Sequence, residues 1–452
     1  MTNSFSPSIR FFRNTLIFAT AFSILGIMAL SGLASAITPS QTAGAPIKPP
    51  PGMPIPPGVV AVSPDGSSVW KTSYQENTVS RIATSNNAET RITVGANPYG
   101  VAVSPDGSSV WVTNSNDDTV SRINTVTNLV TQTINVGASP CFVAVSPDGS
   151  SVWVANFYGG TVSRIATSDN TVSSITVGAG PDNIGVSPDG SSVWVTNFGR
   201  GDAIGTVSRI ATSDNTVTSI TVGVGPNNLA VSPDSSTVWV GNSGGSTLSV
   251  INTTTNFVTS IPGFSSPIIV GVSPDGSSGW VSDYAGNNVS LVTILSQADS
   301  RLAATPRNAP ATYAETRITV GANPLFGAVS PDGSSRWVAN FGDGTVSRIN
   351  TTTNAVTSIT VGGNPIFVAV SPDGSSVFVS DLNGTVSRIN TATNTVGTSD
   401  PSDTVSVTLP IPATLAATGS DLFSPSWLAV ALFGLGGGAL LVSRRRKTQP
   451  HS

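Results

Sequence analysis

Histidine is almost absent from this chain of 452 residues: the only one is His451, next to the last residue. A histidine general base, a haem axial ligand and a histidine-bound zinc or copper ion are therefore excluded from the body of the chain. Cysteine is equally scarce, because Cys141 is the only one and no intrachain disulfide can form. A nucleophilic Cys141 would have no histidine partner, so we expect a small buried residue there.

Charge is also scarce, at 10% of residues, and helix formers such as Lys, Glu and Gln are few. Glycine, serine, threonine, asparagine and valine predominate, which is typical of strands and tight turns. No Asp-x-Asp-x-Asp-Gly calcium loop occurs, and Asp117-Asp118 is the only adjacent acidic pair. We therefore expect no catalytic residue, no metal site and no cofactor, while weak calcium binding by turn carboxylates stays open.

One tetrapeptide recurs along the chain at intervals of 41 to 57 residues. Seven copies read Ser-Pro-Asp-Gly and one reads Ser-Pro-Asp-Ser, and they begin at Ser63, Ser104, Ser146, Ser187, Ser232, Ser273, Ser330 and Ser371. A period near 40 residues with strand-like composition is typical of a radial array of β-sheets. Residues 88–98 and 314–324 are identical, which indicates a recent internal duplication.

Each repeat predicts four strands, and the copy at residues 97–137 illustrates them. Strand a is expected at 101–103, strand b at 110–114, strand c at 119–123 and strand d at 130–136. The Ser-Pro-Asp-Gly turn joins a to b, because proline presets φ and glycine accepts a positive φ. A polar turn at 125–128 joins c to d.

The motif Val112-Thr113-Asn114 on strand b, which recurs in variant form in the other copies, resembles the YVTN family of β-propeller repeat proteins. The resemblance covers residues 58–412 and implies an all-β propeller of four-stranded antiparallel blades around a central channel. We favour eight blades, the last with its fourth strand at 404–409. Propellers of this family often have seven, and that alternative stays open. Residues 295–312 look like an insertion in copy six and predict a mobile loop.

Strand b carries a large aromatic residue in every copy: Trp70, Trp111, Trp153, Trp194, Trp239, Trp280, Trp337 and Phe378. We expect these rings to be buried wedges between blades, and an aromatic sugar-binding site is the alternative. Strand c carries an arginine in six copies and Val250 or Leu291 in the other two; the arginines are Arg81, Arg122, Arg164, Arg209, Arg348 and Arg388. We expect them to hydrogen-bond to the neighbouring blade rather than to a ligand.

The N-terminal residues 1–36 are typical of a secretory signal peptide. Arg10 and Arg13 precede a mostly apolar stretch, and Ala34-Ser35-Ala36 fits the small-x-small cleavage rule. An uncleaved membrane anchor is the alternative. Residues 37–57 are rich in proline and predict an extended linker.

The C-terminus contains the pentapeptide Leu415-Ala416-Ala417-Thr418-Gly419 in a linker at 413–426, an apolar segment at 427–443 and a basic tail at 444–452. The apolar segment predicts a transmembrane helix with its basic tail in the cytoplasm. The combination resembles a Gram-positive sortase sorting signal of the LAxTG type. The resemblance implies cleavage after Thr418 and transfer to peptidoglycan, with sortase as a partner; a plain membrane anchor is the alternative.

The segment between the predicted processing sites, residues 37–418, is acidic. It carries 14 Lys and Arg against 23 Asp and Glu, a net charge of −9, and shows no basic patch. Nucleic acid is therefore not an expected partner. Export and sorting together predict a protein on the cell wall, held in the membrane by its C-terminal helix before sorting.

The two kinds of loop differ in how much they vary. The a–b and c–d turns are nearly constant, whereas the d–a and b–c connections change from blade to blade. In a propeller these two sets lie on opposite faces, and we call the varying one the mouth face. Its aromatic residues predict exposed contacts for a protein or glycan ligand: Tyr74, Tyr99, Phe142, Phe157, Tyr158, Phe198, Tyr284, Phe326, Phe341 and Phe367.

These observations predict a surface-displayed binding or structural module rather than an enzyme. The alternatives are an exported propeller enzyme of the lactonase or lyase type and a passive envelope spacer without a ligand. The lack of histidine argues against propellers that resemble antibiotic lyases or nitrous oxide reductase, whose sites need it.

The sorting signal predicts how the protein is attached. Changing Thr418→Ala should abolish wall attachment and leave the protein in the membrane fraction, because sortase would lose the residue it transfers. Fractionation with wall hydrolases and with detergent measures this. If detergent alone extracts all of the wild-type protein, the sorting-signal interpretation is wrong.

Overall fold

The chain folds into an all-β propeller with eight blades, as predicted. The computed structural model describes residues 59–199, 204–273, 275–296, 312–382 and 384–396. These ranges contain 31 strands in eight antiparallel sheets, each formed by strands consecutive in the chain. Each innermost strand contacts the innermost strand of the next blade, and the last contacts the first, which closes the ring.

Within each blade the strands run in chain order from the axis outward. The innermost strands are β1 (Val60–Val62), β5 (Pro98–Val103), β9 (Pro140–Val145), β13 (Pro181–Val186), β17 (Pro226–Val231), β21 (Pro267–Val272), β25 (Pro324–Val329) and β29 (Pro365–Val370). The second strands are β2 (Ser68–Ser73), β6 (Ser109–Asn114), β10 (Ser151–Asn156), β14 (Ser192–Asn197), β18 (Thr237–Asn242), β22 (Ser278–Asp283), β26 (Ser335–Asn340) and β30 (Ser376–Asp381). The third strands are β3 (Thr78–Ala83), β7 (Thr119–Asn124), β11 (Thr161–Ala166), β15 (Ile204–Ala211), β19 (Thr247–Asn252), β23 (Asn288–Ser296), β27 (Thr345–Asn350) and β31 (Val386–Asn390). The outermost strands are β4 (Glu89–Thr93), β8 (Leu129–Asn135), β12 (Val172–Thr176), β16 (Val217–Val224), β20 (Val258–Pro262), β24 (Thr312–Thr319) and β28 (Val356–Thr360).

The innermost strands begin earlier than the sequence pattern predicted. In blade two the strand starts at Pro98 rather than Val101, with a shift of register between these two residues. Proline is tolerated at the first position of a strand because its missing N–H is not needed there. In blades two to eight a shift of register follows the proline, so the innermost strand begins with residues that the alternating pattern does not reveal.

Blade eight closes the ring with a smaller sheet. Its described part has three strands, and Val396 bridges to Ile389 on the third. Arg388 donates from Nη1 to the carbonyl oxygen of Thr84 in blade one at 2.9 Å, and the buried Lys71 of blade one donates to the carbonyl oxygen of Gly384. Side-chain contacts thus join the last blade to the first across this seam.

The predicted aromatic wedges and interblade arginines are confirmed. Trp153 is fully buried, as are its counterparts in the other blades to within a few per cent. Arg122 lies over the ring of Trp111, 4.9 Å from its centroid. Its Nη1 donates to the Thr167 carbonyl oxygen at 3.0 Å and to Asn170 Oδ1 at 3.2 Å, both on the next blade. The guanidinium therefore covers a ring in its own blade and binds the turn of its neighbour.

Blade six lacks this arginine, and blade seven supplies a replacement. Leu291 occupies the arginine position on β23. Arg336, on β26 of the next blade, lies instead over the ring of Trp280, 5.5 Å from its centroid. Its guanidinium is buried, and burial lowers the pKa of Arg336 to about 10. The repeat alignment alone did not reveal this exchange between blades.

The constant turns use the backbone geometry that their residues predict. Gly149 has φ of 71°, and in blade five Ser235 takes the same place with φ of 62°. Asp148 accepts hydrogen bonds from Ser146 Oγ at 2.5 Å, from Ser150 N–H at 3.0 Å and from Ser150 Oγ at 2.9 Å. These bonds, led by the one from Ser146, lower the pKa of Asp148 to about 2. The aspartate thus orders the hairpin as a carboxylate.

Several predicted segments lie outside the described residues: 1–36, 37–57, the strand at 404–409, the linker at 413–426 with its pentapeptide, 427–443 and 444–452. The predicted loop at 295–312 is described only at its ends, where β23 and β24 extend to Ser296 and Thr312. No helix in the described ranges is long and apolar enough to cross a membrane.

The wedge predicts a large stability loss on truncation. Trp153→Ala should lower the free energy of unfolding by about 3–5 kcal/mol, because it leaves a cavity between two sheets. Val126→Ala, at a side chain that is 86% exposed, is the control and should change it by less than about 0.5 kcal/mol. Chemical denaturation measures both. An unchanged midpoint for Trp153→Ala would contradict a packing role.

The turn carboxylates predict a pH dependence with a definite sign. The folded pKa of Asp148 is about 2, below the usual value near 3.9, so its contribution is present above pH ~4 and is lost as pH falls towards 2. Asp148→Asn should therefore be less stable than wild type at pH 7 and should approach it near pH 2. Urea denaturation across this range tests it; a gap that does not change with pH would refute it.

Candidate ligand-binding face

The d–a and b–c connections meet at one end of the propeller, as predicted. Pro98, which opens an innermost strand, pairs in register with Asn114, which ends the second strand. At the opposite end Thr125 of the c–d turn donates from Oγ1 to the Gly107 carbonyl oxygen of the a–b turn at 2.8 Å. The mouth face is therefore built from the variable connections alone.

The Val-Thr-Asn motif holds the mouth face in place. Thr113 Oγ1 accepts from the Gly100 N–H at 2.8 Å and donates to the Cys141 carbonyl oxygen of the next blade at 2.6 Å. Asn114 Nδ2 donates to Thr119 Oγ1 and Ser121 Oγ, both at 2.9 Å. A Cβ on Gly95 would lie 2.6 Å from Asn114 Cγ, so only glycine fits at this junction. Through these bonds Thr113 joins its blade to the next one, and Asn114 joins two strands of its own blade.

The acidic residues of the variable loops mostly fasten neighbouring loops. Asp117 Oδ2 accepts from the Ala96 N–H at 2.6 Å, and Asp118 Oδ1 accepts from the Ser139 N–H of the next blade at 2.7 Å. The adjacent acidic pair of the sequence is therefore engaged in loop structure. Arg200 and Asp202, on the b–c loop of blade four, lie outside the described residues.

Four of the predicted ligand-face aromatics are buried, which corrects the expectation that they are exposed. They form one cluster with apolar side chains of blades six to eight; its aromatic members are Tyr284, Phe326, Phe341 and Phe367. Tyr99 and Phe142, from blades two and three, pack against the same cluster. With Val59 and Val60 of blade one, the cluster extends over six consecutive blades, from blade six to blade three. These side chains therefore pack against one another at the mouth face instead of being offered to solvent. Their role towards a ligand stays a prediction.

The other four aromatics lie nearer the rim. Tyr74, Phe157 and Phe198 are half-buried, and Tyr158 is 71% exposed. Phe157 and Tyr158 contact edge to face, with ring centroids 5.2 Å apart. Of the ten predicted residues, Tyr158 alone presents most of its side chain to solvent.

One position on the innermost strands separates the mouth into a polar and an apolar part. This is the fifth residue before each constant turn, and in blades two to eight it is Tyr99, Cys141, Asp182, Asn227, Ile268, Leu325 and Ile366. Asp182 is 0% exposed and Asn227 is 1% exposed. Among the described residues, neither oxygen of Asp182 nor Oδ1 of Asn227 has a hydrogen-bond partner. Blades four and five thus carry buried polar atoms where blades six to eight carry hydrocarbon.

Burial dominates the electrostatics of this polar part. It raises the pKa of Asp182 well above its usual value. It also raises the pKa values of Tyr99 and Cys141, and the nearby Asp182 adds to both shifts. The thiol of Cys141 is buried, as predicted, and lies 3.3 Å from the Ala155 carbonyl oxygen.

A small cavity of about 200 Å³ lies away from the mouth face, and its lining belongs to blade four: Ser191, Ser192, Arg209, Ala211, Thr216 and Thr218. Arg209 is engaged there, because its Nη1 donates to the Thr253 carbonyl oxygen and to Asn256 Oδ1 at 3.3 Å. Within the described residues no group of three or more His, Cys, Asp or Glu side chains could hold a metal ion.

Comparisons with known proteins agree with the propeller fold. Residues 52–221 match the sequence profile of the Virginiamycin B lyase family. No curated protein matches the sequence. Hydrazine synthase from Kuenenia stuttgartiensis superposes with a TM-score of 0.53 at 20% identity, over 69% of this chain and 99% of that one. The dihydro-haem d1 dehydrogenase NirN in complex with DHE superposes with a TM-score of 0.58 at 15% identity, over 78% and 77%.

A third similar structure is a catalytically inactive virginiamycin B lyase from Staphylococcus aureus with quinupristin, with a TM-score of 0.47 at 20% identity, over 63% of this chain and 92% of that one. At such identities the likeness shows a shared fold and no shared activity. The similarity to a lyase family is notable beside the scarcity of histidine, since the only one is His451, outside the described residues.

Proposed function

We propose that this protein is a cell-surface propeller that binds a glycan through the rim of its mouth face. The proposal rests on Tyr158, whose side chain is 71% exposed, whereas the adjacent Phe157 is half-buried. Rigid aromatic rings offered to solvent beside polar groups are frequent anchors of binding surfaces. A protein ligand, which such a surface also fits, is the alternative outcome.

The surroundings of Tyr158 favour a preformed platform. Phe157 contacts Tyr158 edge to face, with ring centroids 5.2 Å apart. The Phe157 ring also lies 3.7 Å from the place that a Cβ on Gly180, at the start of blade four, would occupy. Ile204, which begins β15 on that blade, is 67% exposed. A ring held by a neighbouring blade loses little conformational entropy on binding, which favours affinity.

The buried apolar cluster favours a surface site over a deep one. Its aromatic side chains are covered by one another, so we expect a ligand to lie across the loops. An extended polymer can do so, whereas a small molecule prefers a concave pocket. Export, sortase cleavage after Thr418 and attachment to peptidoglycan complete the proposal, because they would place the mouth face outside the cell.

An exported lyase-like enzyme is the second candidate, favoured by the match of residues 52–221 to the Virginiamycin B lyase family. That segment includes Cys141 and Asp182, whose buried titratable groups are typical of catalytic sites. An assay with quinupristin distinguishes the two functions. The purified protein is incubated with quinupristin, and chromatography measures how much quinupristin is lost. Turnover would favour the enzyme.

The binding proposal predicts a selective loss. Tyr158→Ala in the fragment 37–412 should weaken glycan binding at least about tenfold, as truncation of an aromatic anchor does. Its free energy of unfolding should change by less than about 0.5 kcal/mol, because the side chain is exposed. A glycan array, followed by calorimetry with the best ligand, measures the effect.

The matched control is Val126→Ala, which removes an exposed apolar side chain from a c–d turn on the opposite face. It should bind like wild type. If Tyr158→Ala also binds like wild type, recognition lies elsewhere on the protein.

A further inference from the structure

Asp182 stands out because no other buried carboxylate in the described part of the chain lacks a hydrogen-bond partner. Both carboxylate oxygens of Asp182 and Oδ1 of Asn227 lack a hydrogen-bond partner, and both residues are almost completely buried. An unpaired buried carboxylate is strongly destabilising, and an unpaired buried amide oxygen adds to this cost. A native structure seldom keeps such groups without a partner of another kind.

The propeller itself does not require a polar residue at this position. Ile268, Leu325 and Ile366 occupy it in blades six to eight and are 1% exposed or less. A hydrocarbon side chain therefore fits the same site on the same kind of strand. Asp182 is a departure from what packing favours, and its cost needs an offsetting interaction.

Cys141, at the same position in blade three, shows where such a side chain points. Its Sγ lies 3.6 Å from the Pro181 carbonyl oxygen and 3.5 Å from the Asp182 carbonyl oxygen, both on blade four. By the same geometry, we expect the side chain of Asp182 on β13 to be directed at the start of β17, which is Pro226 and Asn227. Pro226 has no N–H to offer, whereas the two carbonyl oxygens and Asn227 Oδ1 are acceptors.

We infer that Asp182 binds a small inorganic cation, together with oxygen atoms at the start of blade five such as Asn227 Oδ1. Carboxylate, amide and carbonyl oxygens are the ligands that hard cations take in proteins. One carboxylate supplies one negative charge, and a monovalent ion such as sodium would leave this buried site neutral. The carboxylate oxygens have almost no accessible surface, so an organic cation would not reach them. This site is distinct from the proposed glycan platform and does not depend on it.

A proton is the competing occupant. Burial raises the pKa of Asp182 well above its usual value, and a neutral carboxyl could donate to a carbonyl of blade five. The titratable groups near it are Tyr99 and Cys141, and burial raises the pKa of both. A proton would make stability depend on pH and not on the identity of the cation, which an experiment can separate.

The test is thermal unfolding of the full-length protein in detergent at pH 7, in sodium, potassium, calcium or tetramethylammonium chloride at a constant ionic strength of about 150 mM. If the site binds an inorganic ion, the melting temperature should be higher by about 3 °C or more than in tetramethylammonium, which is too large to enter. An effect of calcium at much lower concentration would also support the site and would identify a divalent occupant.

Two variants at Asp182 and one control complete the experiment. Asp182→Asn should abolish the dependence on the cation. Asp189→Asn should keep it, because that carboxylate is on the opposite face of the same blade and is satisfied by Ser187 and Ser191. Asp182→Leu copies blades six to eight, and it should melt above wild type in tetramethylammonium and lose that advantage in sodium.

The result that overturns the inference is equally definite. Equal melting temperatures of the wild type in all four salts would show that a proton or nothing occupies the site. A cation dependence that survives in Asp182→Asn would place the ion elsewhere.

Discussion

The contact on which this structure depends is the one between neighbouring sheets. A four-stranded blade has two apolar faces, and it can hide them only against the blades on either side. Trp153 and its counterparts fill that space, and arginines such as Arg122 cover a ring and bind the next turn. Every blade is thus completed by its neighbour, and the ring must close for the first and last to be covered. At the seam, Lys71 and Arg388 bond across to the partner blade where no sheet is shared.

Most of the architecture could be predicted from the sequence because it is set within one repeat. The Ser-Pro-Asp turns, the strand spacing and the buried tryptophans depend on residues close in the chain or on the adjacent copy. What could not be predicted depends on contacts among several blades. Phe326 and Phe367 stack at 5.1 Å, in a cluster that also includes side chains of blades six, one, two and three. No pattern inside one repeat distinguishes such a residue from an exposed aromatic on a loop. The sequence also did not reveal that Arg336 covers the tryptophan of blade six, where Leu291 occupies the arginine position. The reason is that Leu291 and Arg336 lie in different copies of the repeat.

The mouth of the channel therefore has two characters. One side is a closed apolar cluster that needs nothing more, and its aromatics contribute to stability. The other side buries Asp182 and Asn227 without hydrogen-bond partners among the described residues, at a position where blades six to eight carry hydrocarbon side chains. Departures of this kind, in which one blade breaks a rule that its sisters obey, are where function is to be sought in a repeat protein. The exposed ring of Tyr158 is a second departure, on the rim rather than within.

The guanidinium of Arg336 covers the ring of Trp280 in the preceding blade, and this has a consequence for how blades can be duplicated. Residues 88–98 and 314–324 are identical, so segments of this chain have been copied in the past. If blade six were copied ahead of a blade other than blade seven, its tryptophan would lack the arginine that covers it. A copy of blade seven placed after one with its own arginine would bury a second positive charge against the same ring. Trp280 keeps its covering arginine only while these two blades stay adjacent, so here the unit that carries the complete contact is a pair of blades.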